Sequence, residues 1–178
     1  ASIRIQGMQG RHTRFLSDGL PLYGNQPSGL GLLQIPPMDL NQVEVIKGVA
    51  SALYGAGAMG GVVNLLSRRP GREPERELLI NQSTEGATDG VLWLSSPLSK
   101  SWGVTFLGGG HRQNQTDSDG DGWADLAHYE RVVARPRFYW NDDEGQSLFI
   151  TIGTTVENRS GGAQPNVTLP GPISSYRE

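Results

Sequence analysis

The sequence contains no cysteine and no long apolar run, and both absences limit what the chain can be. Without cysteine, its 178 residues form neither disulfides nor thiolate metal sites. Hydrophobic residues make up 36% of the chain and never form the stretch of about 20 that a membrane-spanning helix needs. A net charge of −3 lacks the basic excess of nucleic-acid-binding proteins. We therefore expect no nucleic-acid partner.

Histidine is also scarce, which bears on catalysis. The chain has three histidines, and with them no catalytic triad or histidine metal pair can be assembled. We expect no enzyme activity. Glycine and proline are abundant instead, at 25 and 11 residues, which is typical of a turn-rich β protein.

The most informative segment is residues 41–70, which read NQVEVIKGVASALYGAGAMGGVVNLLSRRP. The aliphatic residues at 43–46 predict a short strand, 51–54 a helical turn, and 62–66 a second strand that ends before Pro70. The glycines at 55–61 predict a tight crossover in which the backbone passes close to its neighbours. The same glycines match GxGxxG, the nucleotide-binding fingerprint, so a nucleotide-dependent enzyme is one alternative. The β-branched residues after Gly61 and the early Pro70 argue against the helix that such a site requires.

Beyond residue 71 the sequence alternates between short apolar-polar runs and polar turns. Candidate strands lie at residues 76–83, 89–95, 102–111, 129–140 and 147–157, in the spacing of an antiparallel meander. The period of two does not by itself distinguish the core of a soluble sandwich from a lipid-facing surface. Pro136 has no backbone N–H to donate to a neighbouring strand, which predicts a bulge or an edge in the fourth run. Trp93, Trp102, Tyr139 and Trp140 fit either interfacial aromatics or core packing.

Residues 3–24, IRIQGMQGRHTRFLSDGLPLYG, and the segment 41–70 together resemble the plug domain of TonB-dependent outer-membrane receptors. Lys47, Val49, Arg14 and Ser17 depart from the family's usual residues. The resemblance implies a mainly β chain with short helices: an α+β plug at residues 1–70, followed at 71–178 by about five strands of an antiparallel meander. Because plugged transporters of this kind have about 22 strands, the chain is expected to be a fragment of a transmembrane β-barrel.

The resemblance also implies a function and a place in the cell. A receptor of this family sits in the bacterial outer membrane, contacts lipid, and imports a scarce nutrient such as a ferric siderophore, haem or cobalamin. Its energy comes from the TonB complex of the inner membrane, through a segment absent from this sequence. The substrate would be a small-molecule metal chelate or vitamin, and the resemblance points to two plug loops that would bind it. In the first loop, residues 7–12, the candidates are Met8, Gln9, Arg11 and His12; in the second loop, residues 23–34, they are Tyr23, Asn25, Gln26 and Gln34.

An acidic loop, TDSDGDGWAD, is the sharpest chemical motif. Asp117, Asp119, Asp121 and Asp125 occupy positions 1, 3, 5 and 9 around a glycine, the spacing with which carboxylates converge on calcium. Position 12 is His128 instead of the glutamate of an EF-hand. Bound calcium and a solvated acidic turn both remain open. A soluble secreted domain that binds calcium and a glycan or protein is the alternative to the transporter.

Overall fold

A computed structural model describes residues 4–5, 8–9, 12–21, 37–48, 51–118, 120, 122–162 and 175–177. The chain divides into two compact units, Ala1–Arg69 and Pro70–Glu178. Within the described ranges, no helix is both long and apolar enough to cross a membrane.

The described residues of the first unit form six short strands and little helix. The strands are β1 (Arg4–Ile5), β2 (Met8–Gln9), β3 (Thr13–Ser17), β4 (Leu20–Pro21), β5 (Leu40–Lys47) and β6 (Gly61–Ser67). A 3-10 helix at Pro37–Asp39 precedes β5, and the helix α1 (Ser51–Tyr54) and a 3-10 turn at Ala56–Ala58 connect β5 to β6. Strands β3 to β6 form one sheet in the order β4, β3, β6, β5. Strand β1 pairs separately with β2. The helical turn and both strands predicted within residues 41–70 are confirmed.

The sheet of the first unit is mixed, because β6 runs parallel to β3 and antiparallel to β5. Its core is small: Leu16 of β3, Val62 of β6 and Ala58 of the connecting turn are buried, and Tyr54 packs against them. The strand that follows the glycine-rich crossover, β6, therefore lies in the centre of the sheet. No long helix follows these glycines, and the nucleotide-binding interpretation of GxGxxG is wrong.

The second unit is an antiparallel meander. Its strands are β7 (Glu75–Gln82), β8 (Ala87–Pro97), β9 (Trp102–Gln113), β10 (His128–Asn141), β11 (Ser147–Thr151), β12 (Thr154–Gly162) and β13 (Ser175–Arg177). Each of β7 to β10 pairs with the next strand in the chain. Both β11 and β12 pair with β10, and β13 pairs with β12. The predicted meander is confirmed: the turns β7–β8, β8–β9 and β10–β11 are short, and the connection between β9 and β10 is long.

The fifth predicted strand is in fact two strands, and Pro136 explains the division. Strand β11 pairs with residues 137–141 of β10, and β12 pairs with residues 128–134. The Pro136 carbonyl accepts a hydrogen bond from the Ile152 amide at 3.1 Å, so the missing proline N–H faces the break at residues 152–153. The irregularity predicted at Pro136 lies in the partner strand, while β10 itself continues without a bulge.

Candidate functional site

The β3–β4 hairpin of the first unit is fixed to its sheet by one aspartate. Asp18 and Gly19 both have positive φ, at 51° and 79°, the conformation of a type I′ turn. The Asp18 carboxylate accepts hydrogen bonds from the Ser67 amide at 2.9 Å and the Ser67 hydroxyl at 2.5 Å. The Asn64 side chain accepts a hydrogen bond from the Gly19 amide at 3.0 Å and donates one to the Glu44 carboxylate at 3.0 Å. These bonds connect the turn to β6 and to β5 beyond it.

The crossover that precedes β6 requires glycine at one position in particular. Gly61 has φ of 131°, and a Cβ at that position would collide with the backbone carbonyl of Ile46 across the sheet. The neighbouring Gly60 amide donates to the His12 carbonyl at 2.7 Å, which holds the crossover against the start of β3. A side chain at Gly61 would therefore disturb both the backbone conformation and the pairing of β5 with β6.

The predicted substrate-binding residues lie mostly outside the described part of the chain. This is so for Arg11, Tyr23, Asn25, Gln26 and Gln34. Met8 and Gln9 form β2, and His12 is half-buried immediately before β3. The backbone thus places Met8, Gln9 and His12 in consecutive segments that lead into the sheet, and their role in binding stays a prediction.

The strands of the second unit present two faces of opposite character. Because directly paired residues share a face, the register puts all even-numbered residues of β7–β12 on one side, the even face, and all odd-numbered residues on the other, the odd face. Among the described strand residues, the buried side chains lie on the odd face: Trp93, Ser95, Thr105, Leu107, Gln113, Val133, Arg137 and Tyr139. The exposed large apolar residues lie on the even face, with the exception of Leu79: Leu78, Ile80, Leu92, Trp102, Val132, Phe138, Leu148, Ile150 and Val156.

The aromatic residues divide between the same two faces. Trp102 and Trp140 are directly paired on the even face with ring centroids 6.4 Å apart, and their interfacial role stays a prediction. Trp93 and Tyr139 are 1% and 5% exposed on the odd face, so the interfacial interpretation is wrong for them. Their burial follows from strand parity, which proximity to a strand end does not reveal.

The apolar band of the even face is bounded by an aromatic pair at one end and a charged pair at the other. It begins at the Trp102–Trp140 pair and ends at the directly paired Arg112 and Glu130, whose charged groups are 3.7 Å apart. Arg112 follows Trp102 by ten positions in β9, or about 34 Å along the strand. A strand tilted by roughly 35–45° spans about 24–28 Å of bilayer over that length, against about 25 Å for the apolar band of outer-membrane barrels.

The odd face carries a row of polar and charged side chains at the same end as Arg112. Asn81, Asp89, His111, Arg131 and Glu157 are paired in succession across five strands. The Asn81 amide donates to Asp89 at 3.0 Å, Asp89 also contacts the His111 ring, and Arg131 lies 3.7 Å from Glu157. Opposite charges in directly paired positions stabilise strand register.

An aromatic stack continues this charged row toward the strand ends. The Tyr129 ring stacks on His111 with centroids 4.4 Å apart, and the Arg159 guanidinium lies 5.0 Å from the Tyr129 centroid while also contacting Glu157. Sequence analysis did not find this cluster, because the residues come from separate runs and meet only through register. In the sequence these residues are visible only as members of the polar side of their alternating runs.

The acidic loop between β9 and β10 is organised by its own carboxylates. The Asp117 carboxylate accepts hydrogen bonds from the Gly120 amide at 2.8 Å and the Gly122 amide at 2.9 Å. The Asp125 carboxylate accepts a hydrogen bond from the Ser118 amide at 3.0 Å. Asp119 and Asp121 lie outside the described residues. Among the residues that are described, no three histidine, aspartate or glutamate side chains are close enough together to hold a metal ion.

Comparison with known proteins identifies the family. The TonB-dependent receptor plug domain model matches residues 1–62. The metal-pseudopaline receptor CntO of Pseudomonas aeruginosa is 32% identical over 120 residues, which cover 67% of this chain and 16% of that protein. The ferrioxamine receptor of Yersinia enterocolitica is 28% identical over 174 residues, which cover 97% of this chain and 23% of that protein.

A solved structure extends the likeness through both units. The siderophore receptor PirA from Pseudomonas aeruginosa aligns with a TM-score of 0.69 at 24% identity, covering 90% of this chain and 29% of that one. The chain belongs to the TonB-dependent receptors. Its first unit has the plug fold, and the meander of its second unit is part of a plugged β-barrel, as predicted. The chain spans less than a quarter of the length of the two curated relatives.

Proposed function

We propose that this chain is part of a bacterial outer-membrane receptor that imports a metal chelate with energy from TonB. The exposed apolar even face carries the proposal. In a soluble sandwich the apolar side of alternating strands is buried and the polar side faces water. Here the large apolar side chains of the even face are exposed, and the buried odd face mixes polar with apolar side chains, as in a barrel whose outside contacts lipid. The soluble calcium-binding alternative is therefore not supported.

The loop lengths give the receptor an orientation. Both turns at the Trp102–Trp140 end, residues 98–101 and 142–146, are short, whereas the Arg112 end carries the long loop 114–127 beside the short turn 83–86. Barrels of the outer membrane have short periplasmic turns and long extracellular loops. The acidic loop and the charged row around His111 accordingly lie at the extracellular end.

The relatives and the residues at hand support a metal chelate as the substrate. The receptors named above bind metal-pseudopaline, ferrioxamine and a siderophore, all of them metal chelates or chelators by their names. Arg11 and His12 on the first plug loop suit an anionic chelate. We place substrate contacts on this loop and on the loop that contains Tyr23, Asn25, Gln26 and Gln34, and we expect TonB to rearrange the plug during import.

Growth of a deletion strain under metal limitation tests the proposal. Loss of the receptor should abolish growth on one iron chelate, with cobalamin and haem supplied in separate cultures as the alternative substrates. Inactivating TonB should have the same effect as deleting the receptor. Uptake of every one of these nutrients at the wild-type rate in the deletion strain would contradict the assignment.

A further inference from the structure

The connection that leads into the meander rests on a glycine of the barrel wall. Pro70 is the first residue of the second unit. A Cβ added at Gly103 of β9 would lie 2.5 Å from the Pro70 Cγ and 3.0 Å from the Pro70 Cβ, so the proline ring lies directly against the Gly103 backbone. A side chain at position 103 would displace this ring, because real Cβ atoms do not come within 3.0 Å of such neighbours.

The strand register gives this contact a defined place on the odd face. Gly103 is buried and is directly paired with Pro97 of β8 and with Tyr139 of β10. Position 103 is therefore a gap between two ring-bearing residues of the same face, and we call it the Gly103 notch. The Pro70 ring occupies this notch. A proline loses little conformational entropy when its ring is held, which suits it to fixing a chain in place.

The rest of the connection, residues 71–74, is held less closely. Strand β8 lies between β9 and β7, so β7 is two strand spacings, about 10 Å, from the strand that carries the notch. The five steps from Pro70 to Glu75, where β7 begins, reach up to about 17 Å, so the chain crosses β8 without being stretched. Residues 71–74 are all exposed, whereas Pro70 is half-buried.

We propose that Pro70 anchors the connection to the barrel wall, and that movement of the first unit during import ends at this anchor. While Pro70 stays in the Gly103 notch, a displacement of the first unit does not pull on residues 71–74. Without the anchor, the same displacement would load the pairing of β7 with β8 at Glu75, where β7 begins. The inference rests on the proposed function, because it concerns import, and it names the residue at which the moving part of the receptor ends.

Spin labelling of the exposed connection tests the anchor. A nitroxide is attached through Arg72→Cys in the full receptor in its membrane, and the ratio of mobile to immobile label is measured. Gly103→Leu fills the notch. Gly110→Leu is the matched control, because it is the same change in the same strand at a glycine with open space around it. Pro70→Ala empties the notch and leaves the wall unchanged, so it decides the question if Gly103→Leu does not fold.

We expect Gly103→Leu and Pro70→Ala each to raise this ratio at least about tenfold over the wild type, which corresponds to about 1.4 kcal/mol. Gly110→Leu should leave the ratio unchanged. Because both changes break the same contact, the double variant should be no more mobile than either single variant. Equal mobility in Gly103→Leu, Pro70→Ala and Gly110→Leu would overturn the inference.

The same label, followed during energised uptake, tests the part of the inference that concerns import. The substrate supplied is the iron chelate that the growth test identifies. The wild-type label should keep its resting mobility while the cells take up this chelate, and a mobile label that appears only during uptake would overturn the inference. Failure of the growth test would instead contradict the proposed function, and the resting mobilities would still decide whether Pro70 is anchored.

Discussion

Replacing Leu92 by arginine is the change that best separates a lipid-facing surface from a water-facing one. Leu92 lies on the even face of β8, is 36% exposed, and is paired with Gly108 of β9. Gly108 is six residues from Trp102 and four from Arg112. With about 2.6 Å of bilayer depth per residue in a tilted strand, Leu92 lies roughly 10 Å below the charged end and 16 Å above the tryptophan pair.

The expected cost follows from this depth. An arginine near the bilayer midplane destabilises an outer-membrane barrel by about 2–4 kcal/mol, because its charge is removed from water without a partner. This lowers the folding equilibrium constant by about 30-fold to 700-fold. On a surface exposed to water the same substitution would change stability by about 0.5 kcal/mol or less.

The matched control places the same charge at the edge of the apolar band. Asn158 is exposed on the even face of β12 and is directly paired with Glu130. Asn158→Arg should cost only about 0–1 kcal/mol, since charges near the interface remain hydrated and Glu130 has the opposite sign. The assay is a guanidinium titration of the receptor in lipid vesicles, under conditions where the folding and unfolding curves coincide. A Leu92→Arg variant as stable as Asn158→Arg would refute the lipid-facing assignment.

Three further predictions concern the plug and the acidic loop. Gly61→Ala should destabilise the receptor by about 1–3 kcal/mol in the same titration, because it strains the backbone against a neighbouring carbonyl, whereas Gly57→Ala, which has open space, should have a smaller effect. Asp18→Asn should cost about 1–3 kcal/mol by weakening its bonds to β6, while the exposed Asp143→Asn stays within about 0.5 kcal/mol. Isothermal titration decides between the two interpretations of the acidic loop: binding heat with a Kd of about 0.1–1 mM that is lost in Asp121→Asn would show bound calcium, and an absence of heat in the wild type would show a solvated acidic turn.

The plug was predictable from sequence because its signals are local. The helical turn at residues 51–54 and the strands on either side of it follow from residue type over short distances, and the glycines of 55–61 mark the crossover between them. Position 61 requires glycine because the Ile46 carbonyl of another strand lies against it. Sequence patterns do not reveal that proximity.

The barrel strands were predicted as elements, but their contacts depended on register. Alternation gave each strand two faces without showing which face is covered, so the buried positions of Trp93 and Tyr139 were not recognised. The charged row through His111 and Arg131 joins residues that lie 20 apart in the chain. Such contacts are fixed by hairpin geometry and strand pairing, which sequence patterns specify only weakly. The break opposite Pro136 was foreseen as an irregularity, but its position in the partner strand was not.

Spin labelling along β10 is the most direct test of the central claim that the even face of the meander contacts lipid. Nitroxides are placed singly at positions 132, 133 and 134 of the receptor in a bilayer, and collision rates with oxygen and with a water-soluble nickel complex are compared. We expect positions 132 and 134 to be more accessible to oxygen, which concentrates in lipid, and position 133 to lack that preference. A higher accessibility to nickel at 132 and 134, or no alternation along the three positions, would contradict the account.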